Sequence, residues 1–557
     1  MTKPEIRIKP ETRMTKVGER DRPPGVVGVL AIFLLLGSAV LLFARLGRYT
    51  LWDDEAQTAL NAEGVLQSGD TSAVIGHNVN AYRGGQLLRG LRNRFPSPLQ
   101  AYVVAPFLAV MGRTALAARL PFALCGLACV SLIVRWLWQS RASPLTWALT
   151  TMAVLGNVSF FLFYRQARYY GLTMLSSVVL VYLYLRWDAR RVTLVAFSLV
   201  SAALLASNPI NLAAVYAALA LDYAMWGRKS HRIRAGDIPY LLVPLLLIGV
   251  PVLYVWNPLG VEITGFRDAS WAAARAKLLW LNLRDISRSE FGVGVLLLAA
   301  PVVYFLGART QPLLLRGCAF LLIYVLAVTL VSPQQADLAH DADVRYLAPL
   351  IPLCVALEVL TLREAAGWIG WWVLPLAVIA FGTNVLALGP VMGQPARSSV
   401  VLYVGELVRP TEDPYRAAVD WIDAHVGDGQ SIWVVPDFPM YSLMFHAPRA
   451  VYAWQFDPSD EPKYPGLPPI HFAGRAAPDF VIVFGPEIAR VRPMLSRAES
   501  RGVKYEQNAT LNVYWQDQYR PELIWHRFKP KPSFDQAKEA IYVFRRTAPP
   551  GVSPPMP

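Results

Sequence analysis

The segment Leu51-Trp52-Asp53-Asp54-Glu55-Ala56 sets three consecutive carboxylates beside a tryptophan. Adjacent carboxylates repel one another, so one of them is expected to keep its proton or to pair with a cation. Tryptophan suits the boundary between lipid and water. A carboxylate placed there could deprotonate a hydroxyl arriving from solution while a lipid-borne reactant arrives from the side. The competing reading is a helix cap, since Asp and Glu are favourable in a first turn. A second group, Tyr164-Arg165-Gln166-Ala167-Arg168-Tyr169-Tyr170, carries two arginines among three tyrosines. Guanidinium grips phosphate oxygens two at a time, which makes this a phosphate clamp or else a pair of anchors at helix ends. A third, from His340 to Pro349, offers Asp341 and Asp343 as oxygen ligands for a divalent ion, and Arg345 for an anion. A solvated loop is the commoner fate of an Asp-x-Asp, and Arg345-Tyr346 is the stronger element because it abuts an apolar run. Together the three groups supply a base, a phosphate clamp and a second cation, a set that suits displacement of a phosphate leaving group at an anomeric carbon.

The elements that must position these groups are apolar. The 557 residues are 54% hydrophobic and only 17% charged, against about 25% charged in an ordinary soluble domain. Much of the chain is therefore dissolved in lipid, which excludes a simple soluble enzyme, a disordered regulator and a collagen-like fibre. Lys+Arg of 53 against Asp+Glu of 39 gives a charge of +14. In a chain of this composition the excess is a positive-inside bias with some attraction to anionic lipid heads, and nucleic acid is not an expected partner. Cys125, Cys129, Cys318 and Cys354 all lie in apolar stretches, so neither a disulfide framework nor a thiolate metal site is expected.

Residues 1–24 form a basic cytoplasmic tail with Lys3, Arg7, Lys9, Arg13, Lys16, Arg20 and Arg22. The apolar run 25–43 is long enough to cross a bilayer of ~30 Å, and with no small-residue cleavage site after it, it is expected to be retained. A first outer loop follows over 46–113, with a short apolar piece at 99–111 set on the membrane surface. Further spans are expected near 116–137, 145–163, 170–186, 192–206, 209–226, 238–256, 291–308, 313–332, 347–361 and 368–390. That makes about eleven transmembrane helices in a module over 25–392. Arg186, Arg190 and Arg191, then Arg228, Lys229, Arg232 and Arg234, then Arg309 and Arg316 fall on the side of the N-terminus, as the positive-inside rule asks. Arg83, Arg89, Arg92 and Arg94 of the first outer loop run against it, although long loops weigh less. Residues 393–548 then form a periplasmic α/β domain, with helices at 417–426 and 487–501 and strands at 431–435, 480–484 and 540–544. Within it, Tyr514, Trp515, Asp517 and Trp525 are groups that could stack on and bond sugars, or equally line a domain core. Residues 549–557 are a Pro-rich disordered tail. The fold class expected is a polytopic α-helical membrane protein with a C-terminal extracytoplasmic α/β domain.

The three groups, in this order and on one side of the membrane, resemble the membrane-embedded glycosyltransferases of the C superfamily (GT-C). The resemblance is to relatives of the protein O-mannosyltransferases and the lipid A aminoarabinose transferase, glycosyltransferase family 39-like. It is carried by Trp52, Asp54, Glu55 and Ala56, by the segment from Ser97 to Pro121, by Gln166-Ala167-Arg168-Tyr169-Tyr170 and by Arg345-Tyr346. It implies a polyprenyl-phosphate-linked sugar as donor, inversion at the anomeric carbon, and a hydroxyl on an acceptor glycan, lipid or protein. Asp54 maps to the reaction centre, with Asp53 leaving open which acid points at substrate and Glu55 orienting the base. Arg168 and Arg345 would hold the donor phosphate with Tyr346 and Arg165; Gln166, Tyr169, Asp341 and Asp343 are further candidates. Ala167 directly follows Gln166 where relatives carry an acid, so that acid's role would pass elsewhere, for instance to Asp341 or Asp343. No cofactor is required, and the site leaves room for a divalent metal. A lipid-phosphate donor also fits the compartment, because nucleotide sugars stay in the cytoplasm while this site faces outward. The expected location is a bacterial inner membrane with the active site facing the periplasm. The rival is a transporter or flippase of a lipid-linked sugar, which would set ionisable groups at mid-membrane, where these spans have almost none.

Overall fold

A computed structural model describes the chain except for residues 1–23, 87, 95–96, 189, 230–232, 257–270, 289–291, 308–310, 334–343, 394, 501, 514–539 and 548–557. In chain order the first helices are α1 (Pro24–Phe43), α2 (Asp53–Ser68), α3 (Leu99–Met111), α4 (Ala115–Gln139), α5 (Pro144–Gly156), α6 (Val158–Tyr164) and α7 (Tyr169–Leu185). The bundle continues with α8 (Arg191–Ser207), α9 (Pro209–Met225), α10 (Ile238–Trp256), α11 (Trp271–Ser287), α12 (Val293–Leu306) and α13 (Leu313–Val331). It closes with α14 (Ile351–Ile369), α15 (Val373–Gly382), α16 (Leu388–Val391) and α17 (Ser399–Val408). Among the described residues five stretches are long and apolar enough to cross a membrane: Gly25–Phe43, Ala115–Gln139, Ala235–Trp256, Leu313–Val331 and Arg345–Gly382. The bent pair α5 and α6 makes a sixth if it is one span, and six shorter apolar helices accompany them. The chain is an integral membrane protein.

The apolar run expected as one span over 145–163 is bent by 58° between α5 and α6. Asn157 causes the break: its side chain accepts the Phe160 N–H at 2.9 Å and starts a new helix. Asn208 does the same for α9, accepting the Asn211 N–H at 3.1 Å with Pro209 in the first turn. The run expected over 347–361 begins instead as a 3-10 turn, Val344–Leu350, before α14 takes over. The run expected over 368–390 is likewise divided, because Gly370 adopts φ +58° and ends α14.

α2 differs from its neighbours in being polar by sequence yet buried from Asp54 to Gly64. Small residues, Ala56, Ala59 and Ala62, let it lie closely between α3 and the helix Pro439–His446 of the C-terminal part. Its three acids occupy the first turn, where free N–H groups and the helix dipole favour them. The segment between α2 and α3 carries a two-stranded ribbon, β1 (Val74–Ile75) and β2 (Asn78–Val79).

The C-terminal part holds α18 (Pro414–His425), β3 (Ser431–Val435), α19 (Pro439–His446), β4 (Val451–Tyr452), β5 (Phe480–Phe484), α20 (Ile488–Glu499), β6 (Tyr505–Leu511) and β7 (Ile541–Arg546). The five strands form one mixed sheet in the order β4-β3-β5-β7-β6, parallel from β4 to β5 and antiparallel beyond. Alternation divides its two faces. Ile432, Val434, Phe480, Ile482, Ile541 and Val543 share a core with α18, α19 and α2, whereas Val481, Val483, Tyr542 and Phe544 pack on α20.

Candidate active site

Residues 49–52, which lead from α1 into α2, are pinned from two sides. Arg119, in the first turns of α4, donates to the carbonyls of Leu46, Tyr49 and Thr50 at 3.1, 2.9 and 3.0 Å. From the sheet side, Asp413 accepts the Thr50 N–H at 2.6 Å and His446 Nε2 accepts the Leu51 N–H at 3.0 Å. The Ser442 hydroxyl donates to the Leu51 carbonyl. Burial pushes the His446 imidazole down to about 3, so at neutral pH it is uncharged and able to accept that bond. The entry to α2, and with it the direction of its three acids, is thus fixed by both halves of the molecule.

Glu55 points inward. Arg119 Nε and Nη2 grip its two oxygens at 2.8 and 2.6 Å, and the Ala167 N–H donates to Oε1 at 2.8 Å. Both side chains are buried. Glu55 therefore ties α2 to α4 and to the turn between α6 and α7, with its lone pairs largely taken.

Asp54, one residue earlier, points to the cations. Its Oδ2 lies 2.8 Å from Arg168 Nη2 and 3.3 Å from Arg345 Nη1. Arg168 Nη1 also reaches the Asp54 carbonyl at 3.2 Å. Arg168 is the extended residue that opens α7, after the turn that follows α6. Arg345 comes from the 3-10 turn before α14, which Asn211 of α9 holds by donating to the Tyr346 carbonyl at 2.7 Å. The guanidinium of Arg168 lies 5.5 Å from the ring centre of Tyr169, and that of Arg345 5.5 Å from Tyr346. The two rings stack at 6.5 Å. The Tyr169 hydroxyl is buried and has no hydrogen-bond partner among the described residues.

Asp53 faces a third way. Gln57 donates to it at 2.8 Å. Burial, then the neighbouring Asp54 charge, hold its carboxyl well above the usual carboxylate range, and Asp437 in the loop after β3 adds to this.

Of the residues singled out in the sequence, the structure brings Asp54, Arg168, Arg345, Tyr169 and Tyr346 together. Arg165 is not brought to this cluster. Its Nη1 caps the end of α1, donating to the carbonyls of Leu41, Leu42 and Ala44 at 3.1, 2.9 and 2.9 Å. A guanidinium so engaged is a structural cap, as a cation at a helix C-terminus can be. Glu55 belongs with Arg119 rather than beside Asp54. Gln166 is buried in the turn, where its carbonyl accepts the Arg168 N–H at 2.8 Å. Asp341 and Asp343 lie outside the described residues, as do Tyr514, Trp515, Asp517 and Trp525. Sequence reasoning missed Arg119 as the counter-ion of Glu55, although a lone arginine inside an apolar run is itself a sign of a buried partner. It also missed Asp437, for which a single exposed acid gives no signal.

No family model matches the sequence, and no curated protein matches it. Solved structures do. ArnT from Cupriavidus metallidurans bound to undecaprenyl phosphate superposes with a TM-score of 0.53 at 14% identity, covering 94% of this chain and 98% of that one. The same protein in the apo state gives 0.53 at 15% identity over 93% and 98%. The Archaeoglobus fulgidus oligosaccharyltransferase tethered with an acceptor peptide gives 0.42 at 12% identity over 84% and 70%. The chain has the fold of the GT-C membrane glycosyltransferases.

Proposed function

We propose that the protein is an inverting glycosyltransferase that moves a sugar from a polyprenyl-phosphate donor to an acceptor hydroxyl, on the extracytoplasmic face of a membrane and in bacteria on the periplasmic face of the inner membrane. The observation that carries this reading is the Asp54 carboxylate held between Arg168 and Arg345 at 2.8 and 3.3 Å. The likeness of fold to a protein solved with undecaprenyl phosphate supports the donor class.

In the free protein the two guanidiniums share a carboxylate. A donor phosphodiester can take the carboxylate's place, since its two free oxygens accept paired N–H groups, and the contact strengthens as charge grows on the phosphate that leaves. When the phosphate takes Arg168 and Arg345, Asp54 Oδ2 is released to accept a proton. The acceptor oxygen then attacks the anomeric carbon, the bond from that carbon to the phosphate oxygen breaks, and its electron pair leaves with the phosphate. Asp54 takes the hydroxyl proton, and the two arginines neutralise the charge that grows on the leaving group. Asp53 is a poor base beside Asp54, because its environment favours the protonated form. The unpartnered Tyr169 hydroxyl supplies a further donor to the phosphate, while Glu55 acts only by holding α2 in place. A divalent metal, if bound, would add to the neutralisation.

The test is release of polyprenyl phosphate from a panel of polyprenyl-phosphate sugars, with membrane extract as acceptor source. Wild type should release it with one donor, and Asp54→Asn should not. Movement of the lipid-linked sugar across vesicles without release would overturn the transferase reading in favour of a transporter.

A further inference from the structure

Arg165 divides the molecule's outer face. On one side of its turn lies Arg168 with the candidate site; on the other is a separate pocket at the end of α1. It is lined by Arg45, Arg48 and Tyr49 from the chain leaving α1, by Arg165 at its base, and by Tyr403 and Glu406 of α17. Arg45 and Arg48 are exposed. Arg45 adopts φ +53°, a left-handed turn uncommon for a non-glycine residue, which folds this segment back at the helix end. Three guanidiniums face one carboxylate, and Glu406 already accepts the Tyr49 hydroxyl at 2.6 Å. The lining is therefore net positive.

The wall contributed by α17 supplies the second observation. Its ten residues, Ser399–Val408, are too few to cross a bilayer. Val400, Tyr403 and Leu407 pack into the bundle core, and the Tyr403 hydroxyl donates to the Leu41 carbonyl at 2.7 Å. The adjoining side, which begins beside Leu407 in the pocket lining, is also apolar. Val401, Val404 and Val408, spaced to share one face of the helix, are 68%, 42% and 63% exposed. A short helix with an apolar outer stripe, joined to a positive pocket at the end of a span, has the form of an element lying in the membrane interface.

We propose that this pocket binds the phosphate of an anionic phospholipid, with the acyl chains lying along Val401, Val404 and Val408. Arg45 and Arg48 contact the headgroup, and Arg165 sets the positive floor while it caps α1. The site is distinct from the Asp54 cluster, and the proposal does not depend on the transferase reading. It would anchor the junction between α1, which leads into α2, and α17, which leads into the C-terminal sheet.

Native mass spectrometry of the full-length protein, purified in detergent and exposed to equal amounts of phosphatidylglycerol and phosphatidylcholine with matched chains, tests this. Wild type should retain phosphatidylglycerol several-fold over phosphatidylcholine. The double variant Arg45→Gln, Arg48→Gln should lose that preference, and Arg45→Lys, Arg48→Lys should keep most of it. The double variant Arg141→Gln, Arg190→Gln, at two exposed arginines outside the pocket, should bind like wild type and so controls for the loss of two charges. Equal retention of the two lipids by wild type, or an unchanged preference in the glutamine double variant, would overturn the proposal. Displacement of the lipid by excess inorganic phosphate would do so as well, since a free anion would then suffice. If the glutamine variant does not fold, Val404→Asp tests the acyl-chain stripe instead: it should weaken retention of the lipid, and full retention would count against the stripe.

Discussion

Glu55 and Arg119 meet through two parallel bonds of 2.8 and 2.6 Å, with their side chains 0% and 2% exposed. The next acid along, Asp54, makes an equally close contact with Arg168, but there the second cation, Arg345, keeps 36% of its side chain exposed. Consecutive residues of one helix turn thus hold two ion pairs of different kinds. One is closed on all sides and fastens α2 to α4. The other remains within reach of an incoming anion.

The closed pair should behave as structure. Glu55→Gln leaves a buried guanidinium without its counter-charge, a loss of about 3–5 kcal/mol for pairs of this type. Thermal unfolding in detergent should show a large drop in midpoint. Glu55→Met with Arg119→Met should recover part of it, because both buried charges are then gone, although the three carbonyls that Arg119 serves would lose their donor. An unchanged midpoint in Glu55→Gln would contradict this role.

The open pair should behave as a site. Asp54→Asn is expected to lower turnover by about 10²–10⁴-fold, the usual worth of a positioned base. Its affinity for polyprenyl phosphate should be equal to or tighter than that of wild type, because the carboxylate no longer competes for Arg168 and Arg345. Arg168→Gln and Arg345→Gln should weaken the same binding. Equilibrium binding of polyprenyl phosphate to the three variants separates base from clamp; weaker binding by Asp54→Asn would place the phosphate elsewhere.

Two buried groups between α2 and the sheet should set the pH range of stability. Burial raises the Glu63 carboxyl from 4.5 to about 7, against the pull of Arg113, whose Nε lies 2.7 Å away. The folded state then binds more protons than the unfolded chain between these values, so stability falls as pH rises through them. At about 1.4 kcal/mol per pH unit the cost reaches about 3 kcal/mol above pH 7. His446 acts oppositely. Its pKa is depressed from 6.5 to about 3, so its contribution is complete above 6.5 and is lost as pH falls towards 3. Midpoints measured from pH 4 to 8 should show Glu63→Gln removing the decline towards pH 7, and His446→Gln removing the acid limb.

The sequence shows the site where adjacent residues carry the chemistry, and loses it where packing does. Asp54, Arg168 and Arg345 are each recognisable from their neighbours, and their convergence follows once all three lie on one face of a membrane. The partition of the acids does not. Asp53, Asp54 and Glu55 are contiguous, yet successive helix residues point about 100° apart, so they meet Gln57, Arg168 and Arg119 respectively. Which acid meets which partner depends on the entry angle of α2, and Asp413 and His446 fix that from some 360 and 395 residues away in the chain. Arg165 and Arg168 were equivalent in sequence for the same reason. The turn between α6 and α7, helical at Arg165 and extended at Arg168, sends one onto the end of α1 and the other onto Asp54.

Tyr169 gives the sharpest separation of stability from function. Its hydroxyl is buried without a partner among the described residues, and an unsatisfied buried polar group costs about 1–3 kcal/mol. Tyr169→Phe removes the oxygen and keeps the ring that stacks on Tyr346 and lies beside Arg168. The free protein should therefore be as stable as wild type or more so. If the hydroxyl donates to the donor phosphate, the same change removes a charge-assisted bond of about 1.5–3 kcal/mol, weakening binding of polyprenyl phosphate by roughly ten- to a hundredfold. A purely structural tyrosine would show neither half of this pattern: its loss would lower the thermal midpoint and leave donor affinity unchanged. Unfolding and binding measured on one preparation of Tyr169→Phe decide between the two.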